Sequence, residues 1–594
     1  MTFDVVWKND DGSILEIDEN VKMNSFPHYD GDTPTKERDQ FYEYRFAGWD
    51  KPLEMVRCDV TYIATFEKER SLDHLEFSHP SGFYDEEFNL TIEGPKGYNI
   101  YYSLDNSDPT EESNKYTSPL QIKDVSNQSN YYSMKQGISS LDVYYPERLI
   151  DKCVLLKVRA IDPISKKSTP ISYLNYFIGY QNKDGYLNIP IVTLNVNEDD
   201  LFDYEKGIYV TGKIYDESEH EGYPETYPAN YQQKGKEWEK PANFKYFDEN
   251  KELELEQNIG IRIHGGWSRA FNQKSFNLYA RKEYDGHSTF QKSFFDNSIN
   301  AHSLMLRSGG YRDTTVTKIR DSLNQDFSID EGFDVQRSFP TIVFLNGEYW
   351  GIYNLQERYS DNYVKEHHDI NKNNVLIIKN DEIDEGEESD YHLYEELIEF
   401  FKQGNFANAE EYLEAKRYIN VNEFASYMAT QLYVGNIDWP GNNVRVYKDV
   451  SIPNSQWHFM MYDTDDSMNM LSYKCGPDID PFLKSSHWKS GPLESDCLLG
   501  LMLTKLLENS EFKSLFRDTF IRIGSVNFAP SKVNEYLNKK KELLKTPMVK
   551  HYQRFVNDSY DEDYFLEKVF EIQSFFNLRY DYAINFLNTH IPNE

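Results

Sequence analysis

Asp438, Asn443 and Asp463 are the residues whose types and spacing suit a chemical step. Asp438 stands in a Gly/Pro-punctuated loop, Gly435-Asn436-Ile437-Asp438-Trp439-Pro440-Gly441-Asn442-Asn443, and Asp463 ends the apolar run Trp457 to Tyr462. A carboxylate five residues before an amide can orient a hydroxyl nucleophile while the amide reaches a metal. A second carboxylate, delivered by a buried strand, can complete a magnesium shell. Hard oxygen donors of this kind are what Mg²⁺ takes. Each residue alone would serve equally as a turn former, and Thr464-Asp465-Asp466 as a helix cap before Met468. Together they describe phosphoryl transfer.

Such a site needs elements that bring distant stretches together. The segment Asn258 to Arg269 and the segment Gln273 to Arg281 alternate on either side of Gly265-Gly266, which predicts a hairpin or strand-loop-strand unit. Glycines there would let backbone N–H groups approach phosphates, and Lys274, opening the next strand, would pair with them. Ile319, Leu323 and Phe327 at a spacing of four predict a helix over Thr314 to Ser328. Asn346-Gly347 between Phe339–Phe344 and Tyr349–Leu355 is a strong hairpin signal. The chain leaves that hairpin through Gln356-Glu357-Arg358, the place where a kinase would cross between lobes and bind adenine with its backbone. Helical runs over Tyr391 to Gly404, Ala407 to Tyr418 and Asn422 to Tyr433 lead into the Asp438 loop, and more helices follow Asp466.

A length of 594 residues implies about three domains. The net charge of −36 disfavours nucleic acid and anionic lipid as partners and favours basic or neutral ones. No apolar run is long enough to span a membrane. The start Met1 to Trp7 shows no basic and apolar leader, so the chain is either cytosolic or lacks a signal that once preceded it. The four cysteines have no metal-ligand spacing; Cys475 and Cys497 flank a loop that a disulfide would clip, and buried free thiols are the alternative.

The first 180 residues read as all-β. Phe3, Val5 and Trp7, Asp10-Asp11-Gly12, Phe46 to Asp50 and Val60 to Phe66 make a small β module over 1–68. Its closing half resembles the β-grasp-like repeats of Listeria- and Bacteroides-type surface proteins. Over 69–180 come short strands with polar turns: Phe83 to Ile92, Tyr98 to Leu104 and Val154 to Ile161. The strand Ile100-Tyr101-Tyr102-Ser103-Leu104-Asp105 followed by Ser107-Asp108-Pro109-Thr110 resembles the chitobiase C-terminal, fibronectin-like module, a β-sandwich. Alternation places one of Tyr101 and Tyr102 in the core, which makes glycan contact through this module a minor possibility.

Residues 181–594 resemble the CotH kinase family, relatives of the spore-coat protein H kinases. The matching pieces are Gly207-Ile208-Tyr209-Val210, Arg262 to Gly266 with Gln273 to Phe276, Arg320-Asp321, Asn346 to Tyr353, the Asp438 loop and Tyr462 to Asp465. The resemblance implies an α+β, atypical protein-kinase-like domain using ATP with Mg²⁺ or Mn²⁺. It implies Asp438 as the catalytic aspartate, Asp463 as a metal ligand, and Lys274 on the ATP phosphates. Gly265, Gly266 and Glu357 would complete the nucleotide site. Asn443 is preferred to Asn442 as the second metal ligand, and Asp321 is the candidate acidic partner of Lys274. Asn436-Ile437 replaces the usual His-Arg, and Thr464-Asp465 the usual Phe-Gly, so control by an activation loop is not expected.

The function expected on this basis is an extracellular or cell-surface protein kinase acting on Ser or Thr of an envelope protein. The alternative is a degenerate kinase fold that serves surface binding or adhesion. A glycosyltransferase using Asp463-Thr464-Asp465 would need nucleotide-sugar elements that the sequence does not offer.

Overall fold

The structure, a computed structural model, describes residues 1–37, 42–70, 74–295, 298–483, 492–494 and 497–593. It divides into two compact units. The first comprises Met1–Pro80, Glu87–Ile122 and Leu155–Leu174, and the second comprises Ser81–Glu86, Lys123–Val154 and Asn175–Glu594.

In the first unit, strands Thr2–Lys8 and Ile14–Lys22 form a hairpin, Val60–Arg70 pairs parallel to the first strand, and Tyr42–Trp49 flanks it. Val5, Trp7, Val56 and Tyr62 make its small core, with Trp7 stacked on Tyr62 at 4.7 Å. Elsewhere in this unit, Asn99–Ser103 pairs antiparallel with Lys157 to Ile161. The Leu-Asp and Ser-Asp-Pro-Thr residues form its turn: Asp105 accepts from Ser107, and Asp108 pairs with the buried ammonium of Lys157 at 2.9 Å. Tyr101 is core and Tyr102 is half-buried, as alternation requires.

The second unit is built on a closed barrel. Its strands are β1 (Ile191–Val196), β2 (Lys240–Phe247), β3 (Leu253–His264), β4 (Ser275–Tyr279), β5 (Ser303–Arg307), β6 (Ser338–Leu345) and β7 (Glu348–Glu357). They run in the order β1-β2-β3-β4-β5-β7-β6, and a parallel pairing of β6 with β1 closes the ring. The β6–β7 turn is Asn346-Gly347, both at positive φ, which is what a two-residue hairpin demands. Inside lie Leu194, Phe244, Ile261, Phe276, Leu278, Leu304, Leu306 and Trp350. Each fully buried side chain of this size contributes about 1.5–3 kcal/mol. Because strand side chains alternate, Ser275, Asn277 and Tyr279 of β4 and Met305 and Arg307 of β5 face the other way.

A second sheet of β8 (Val375–Lys379), β9 (Glu382–Glu385), β10 (Arg445–Asp449) and β11 (His458–Phe459) runs in the order β9-β8-β10-β11. The helices that matter here are α1 (Arg320–Asp326), α2 (Val421–Val434), α3 (Pro530–Phe555) and α4 (Glu562–His590). The expected helix over Thr314 to Ser328 is shorter: the chain makes a 3-10 turn at Asp313–Thr315 and becomes α-helical only from Arg320. Asp313 explains the delay, since its carboxylate accepts from the backbone of Thr317, Ile319 and Arg320. No helix among the described residues is long and apolar enough to cross a membrane. None of the four cysteines is in a disulfide, so no bridge joins Cys475 to Cys497.

Within this unit Asp151 ties an early segment to α3. Its carboxylate meets Lys183 at 2.6 Å, Lys550 at 2.9 Å and the Tyr186 hydroxyl at 2.7 Å. Burial raises the Asp151 pKa, but the two ammonium groups outweigh it and bring it from 3.8 down to about 2. A carboxylate depressed in the folded state stabilises fully above its ordinary value, and that stability disappears as pH falls from about 4 toward 2. Asp151→Asn should therefore cost about 2 kcal/mol at neutral pH and less than half of that at pH 2.5, close to the depressed value. Urea unfolding at pH 7 and at pH 2.5 measures both; equal losses at the two values would discard the clasp.

Candidate active site

Helix α2, buried along nearly its whole length, ends at Gly435 with φ +68° and releases the chain into the Asp438 loop. Asn436 accepts the Asp438 N–H at 3.1 Å, and Ile437 N–H donates to the Asp466 carbonyl at 2.9 Å. Asn442 and Asn443 both donate to Oδ2 of Asp438, at 3.1 and 3.0 Å. No described residue donates to Oδ1, which stays available. Asn443 also donates to the Asp463 carbonyl at 3.3 Å, so the loop and the Asp463 segment are joined directly. From the far side α1 fixes that segment: Asp321 accepts from the Thr464 N–H at 2.9 Å and its hydroxyl at 3.1 Å.

These residues open on a cavity of about 840 Å³. Its lining includes Gly265, Gly266, Asp438, Asn443 and Asp463, five of the seven site residues expected from the sequence. Gly265 has φ +119°, and a Cβ there would stand 2.4 Å from the Ser268 hydroxyl, so the tight turn requires glycine.

Lys274 and Glu357 lie elsewhere, and both expectations are corrected. The Lys274 ammonium is fully buried, donates to the carbonyls of Arg269 at 2.6 Å and Phe271 at 2.8 Å, and sits over the Tyr231 ring at 4.0 Å. Burial pushes its pKa well below the ordinary lysine value. It braces the turn after the glycines and is absent from the cavity wall. Glu357 keeps its backbone for the fold: its N–H donates to Arg337 and its carbonyl accepts from Gln336. The next residues, Arg358 and Tyr359, line the cavity instead.

The cation that the sequence did not reveal is Arg307. Its guanidinium bonds to Asp463 and to Asp465 and lies 3.8 Å from Asp321. Asp321, expected to partner Lys274, thus partners Arg307. Burial disfavours the charged guanidinium, yet the three carboxylates outweigh it and raise its pKa well above the ordinary value. Burial pushes Asp463 up as well, but Arg307 overrides this and holds it ionised, below the usual range. Asp465, buried beside Asp463, is pushed well up. Asp438 is raised to about 7 by burial and by Asp463 and Asp466, and Asp466 to about 6 by burial foremost.

Residues 261–583 match the family described as CotH kinase protein, more than half of the chain. The chain belongs to the CotH kinase family. Residues 79–145 match the chitobiase/beta-hexosaminidase C-terminal domain. Among solved structures, a Helicobacter pylori proinflammatory kinase, CtkA, is similar at 9% identity and a TM-score of 0.23, covering 55% of this chain and 92% of that one. No curated protein matches in sequence.

The carboxylates of this CotH kinase domain suit a divalent cation. No described group of three His, Cys, Asp or Glu side chains is already shaped as a metal cage. Yet the ionised Asp463 raises the pKa values of Asp438, Asp465 and Asp466, a crowding that Arg307 relieves only in part. Asp463 and Asn443 offer hard oxygen atoms at the cavity wall, the donor type Mg²⁺ or Mn²⁺ takes with a nucleotide completing the shell.

Proposed function

We propose that this chain is an atypical protein kinase, exported or surface-attached, that transfers the γ-phosphate of ATP to Ser or Thr of an envelope or extracellular protein. The observation that carries the proposal is the convergence of Asp438, Asn443, Asp463 and Arg307 on one cavity of nucleotide size. Asp438 would receive the acceptor hydroxyl at Oδ1 and take its proton as the new O–P bond forms and the bond to the ADP oxygen breaks. Asn442 and Asn443 hold that carboxylate in place through Oδ2. Asp463 and Asn443 would hold Mg²⁺ or Mn²⁺, which neutralises phosphate charge when bound. Arg307 keeps Asp463 ionised and aimed. Gly265 and Gly266 would leave the cavity roof open to the phosphates.

Export is supported by composition, an acidic chain rich in Tyr and Asn. The N-terminal β modules, the first read as a surface repeat, would then serve attachment, with glycan contact through the half-buried Tyr102.

Nucleotide should bind poorly alone, because the carboxylates repel it, and well with Mg²⁺. At a hundredfold excess over Kd the native state gains about 2.7 kcal/mol, a thermal shift of several degrees. Asp463→Ala should abolish that shift, while Glu535→Ala on the exposed face of α3 should leave it unchanged. A wild-type protein that shows no shift with Mg-ATP and transfers no label from ATP to a mixed protein acceptor would favour the binding-protein alternative.

A further inference from the structure

The barrel wall of the cavity includes residues of β3, β4 and β5, and the polar ones on β4 and β5 are accounted for but for one. Ser275 is bonded to Ser308, Oγ to Oγ at 3.0 Å, and accepts the Ser308 N–H at 2.8 Å. Arg307 is held by carboxylates. Tyr279 lies under the guanidinium groups of Arg262 at 4.7 Å, Arg281 at 4.9 Å and Arg358 at 5.3 Å. Asn277, between them, is 8% exposed, and its buried Oδ1 has no hydrogen-bond partner although the residue lines the cavity. An unmet acceptor at this depth is unfavourable, and a turn of the amide about its last bond would present it to an N–H in the cavity.

The neighbours of Asn277 say what shape that donor has. Its direct partner across the strands is Met305, also on the cavity wall, an apolar and polarisable surface on which a flat ring can lie. Arg307 follows two residues along the same strand, roughly 7 Å further. A ring resting on Met305 would place a ribose and its first phosphates within reach of Arg307 and Asp463. The amide adds a donor beside the acceptor, which matches the paired amino group and ring nitrogen of adenine.

We propose that Asn277 is the residue that reads the nucleobase, its Oδ1 accepting from the exocyclic amino group of adenine while the ring lies on Met305. The inference rests on the reading of this cavity as a nucleoside triphosphate site. It makes Asn277 a specificity determinant and leaves the phosphate contacts to other residues.

The test is equilibrium binding to the full chain, with Mg-ATP, Mg-ITP, in which a carbonyl replaces the amino group, and Mg-tripolyphosphate, which has no base. Wild type should bind ATP at least about tenfold more tightly than ITP, since a buried acceptor left unpaired discriminates by that much or more. Asn277→Leu keeps the side-chain size and breaks no internal side-chain bond. It should weaken ATP at least about tenfold, bind ATP and ITP alike, and leave tripolyphosphate unchanged. Asn277→Asp keeps the acceptor and should keep the preference for ATP over ITP.

Equal affinity of wild type for ATP and ITP overturns the proposal whatever the variants do, as does discrimination that survives in Asn277→Leu. Tripolyphosphate bound as tightly as ATP would remove base reading while sparing the phosphate site. A wild type that binds none of the three would remove the nucleotide reading and the inference with it.

Discussion

Asp438→Asn is expected to lower the transfer rate by about a hundredfold to ten-thousandfold, the range set by loss of a positioned proton acceptor. It should leave Mg-ATP affinity within about threefold of wild type, because the variant removes a proton acceptor without removing a phosphate contact. The asparagine can still accept the amide bonds of Asn442 and Asn443 through its remaining oxygen, so the loop keeps its shape. Removing the charge also relieves Asp463 and Asp466, so the melting temperature should hold or rise. Label transfer from ATP, read beside a thermal shift, separates the two effects. A variant that transfers at the wild-type rate would place the chemistry on another residue.

The second large effect belongs to Arg307→Met. A buried charge group that loses its central cation is strongly destabilised, by about 3–5 kcal/mol when solvent cannot reach it. Asp463 is partly open, with 41% of its side chain exposed, so the lower end, about 3 kcal/mol, is the expected loss. Asp465 and Asp321, at 5% and 4%, have no such relief. A divalent cation can replace part of the missing charge, so Mg²⁺ without nucleotide should raise the melting temperature of the variant more than that of wild type. Calorimetry with and without Mg²⁺ decides it. A variant as stable as wild type in chelator would show that Arg307 does not hold these carboxylates together.

What the sequence revealed and concealed about this site follows from how local each feature is. Asp438, Asn443 and Asp463 were legible because their loops carry the Gly, Pro and Asn of a constrained turn close to the acidic residue. The Asn346-Gly347 hairpin and the long helices were legible from turn chemistry and apolar spacing. Arg307 was hidden. It closes the short strand Ser303–Arg307, where nothing nearby marks an arginine as a ligand, and its carboxylates come from α1 and from a segment more than 150 residues away. Lys274 misled for the converse reason: a lysine after a glycine turn is a familiar phosphate ligand, and only the carbonyls of Arg269 and Phe271, folded back over it, reveal a brace. Glu357 missed the cavity by one residue, as strand alternation readily allows. Barrel closure by a parallel pair between β1 and β6 could not be read from either strand alone.

The segment carrying Asp151 bears on how such a protein can be assembled from parts. A domain that spreads by recombination is normally carried on one uninterrupted stretch of gene, cut at a linker on either side. This chain passes between its two units at residues 80/81, 86/87, 122/123, 154/155 and 174/175, so no single cut releases the larger one whole. A gene fragment begun at residue 181 would encode Lys183, Tyr186 and Lys550 but leave behind the aspartate they enclose. An exchange of either portion would therefore need a substitute for what the cut removes, as Asp151 is removed from its three partners here.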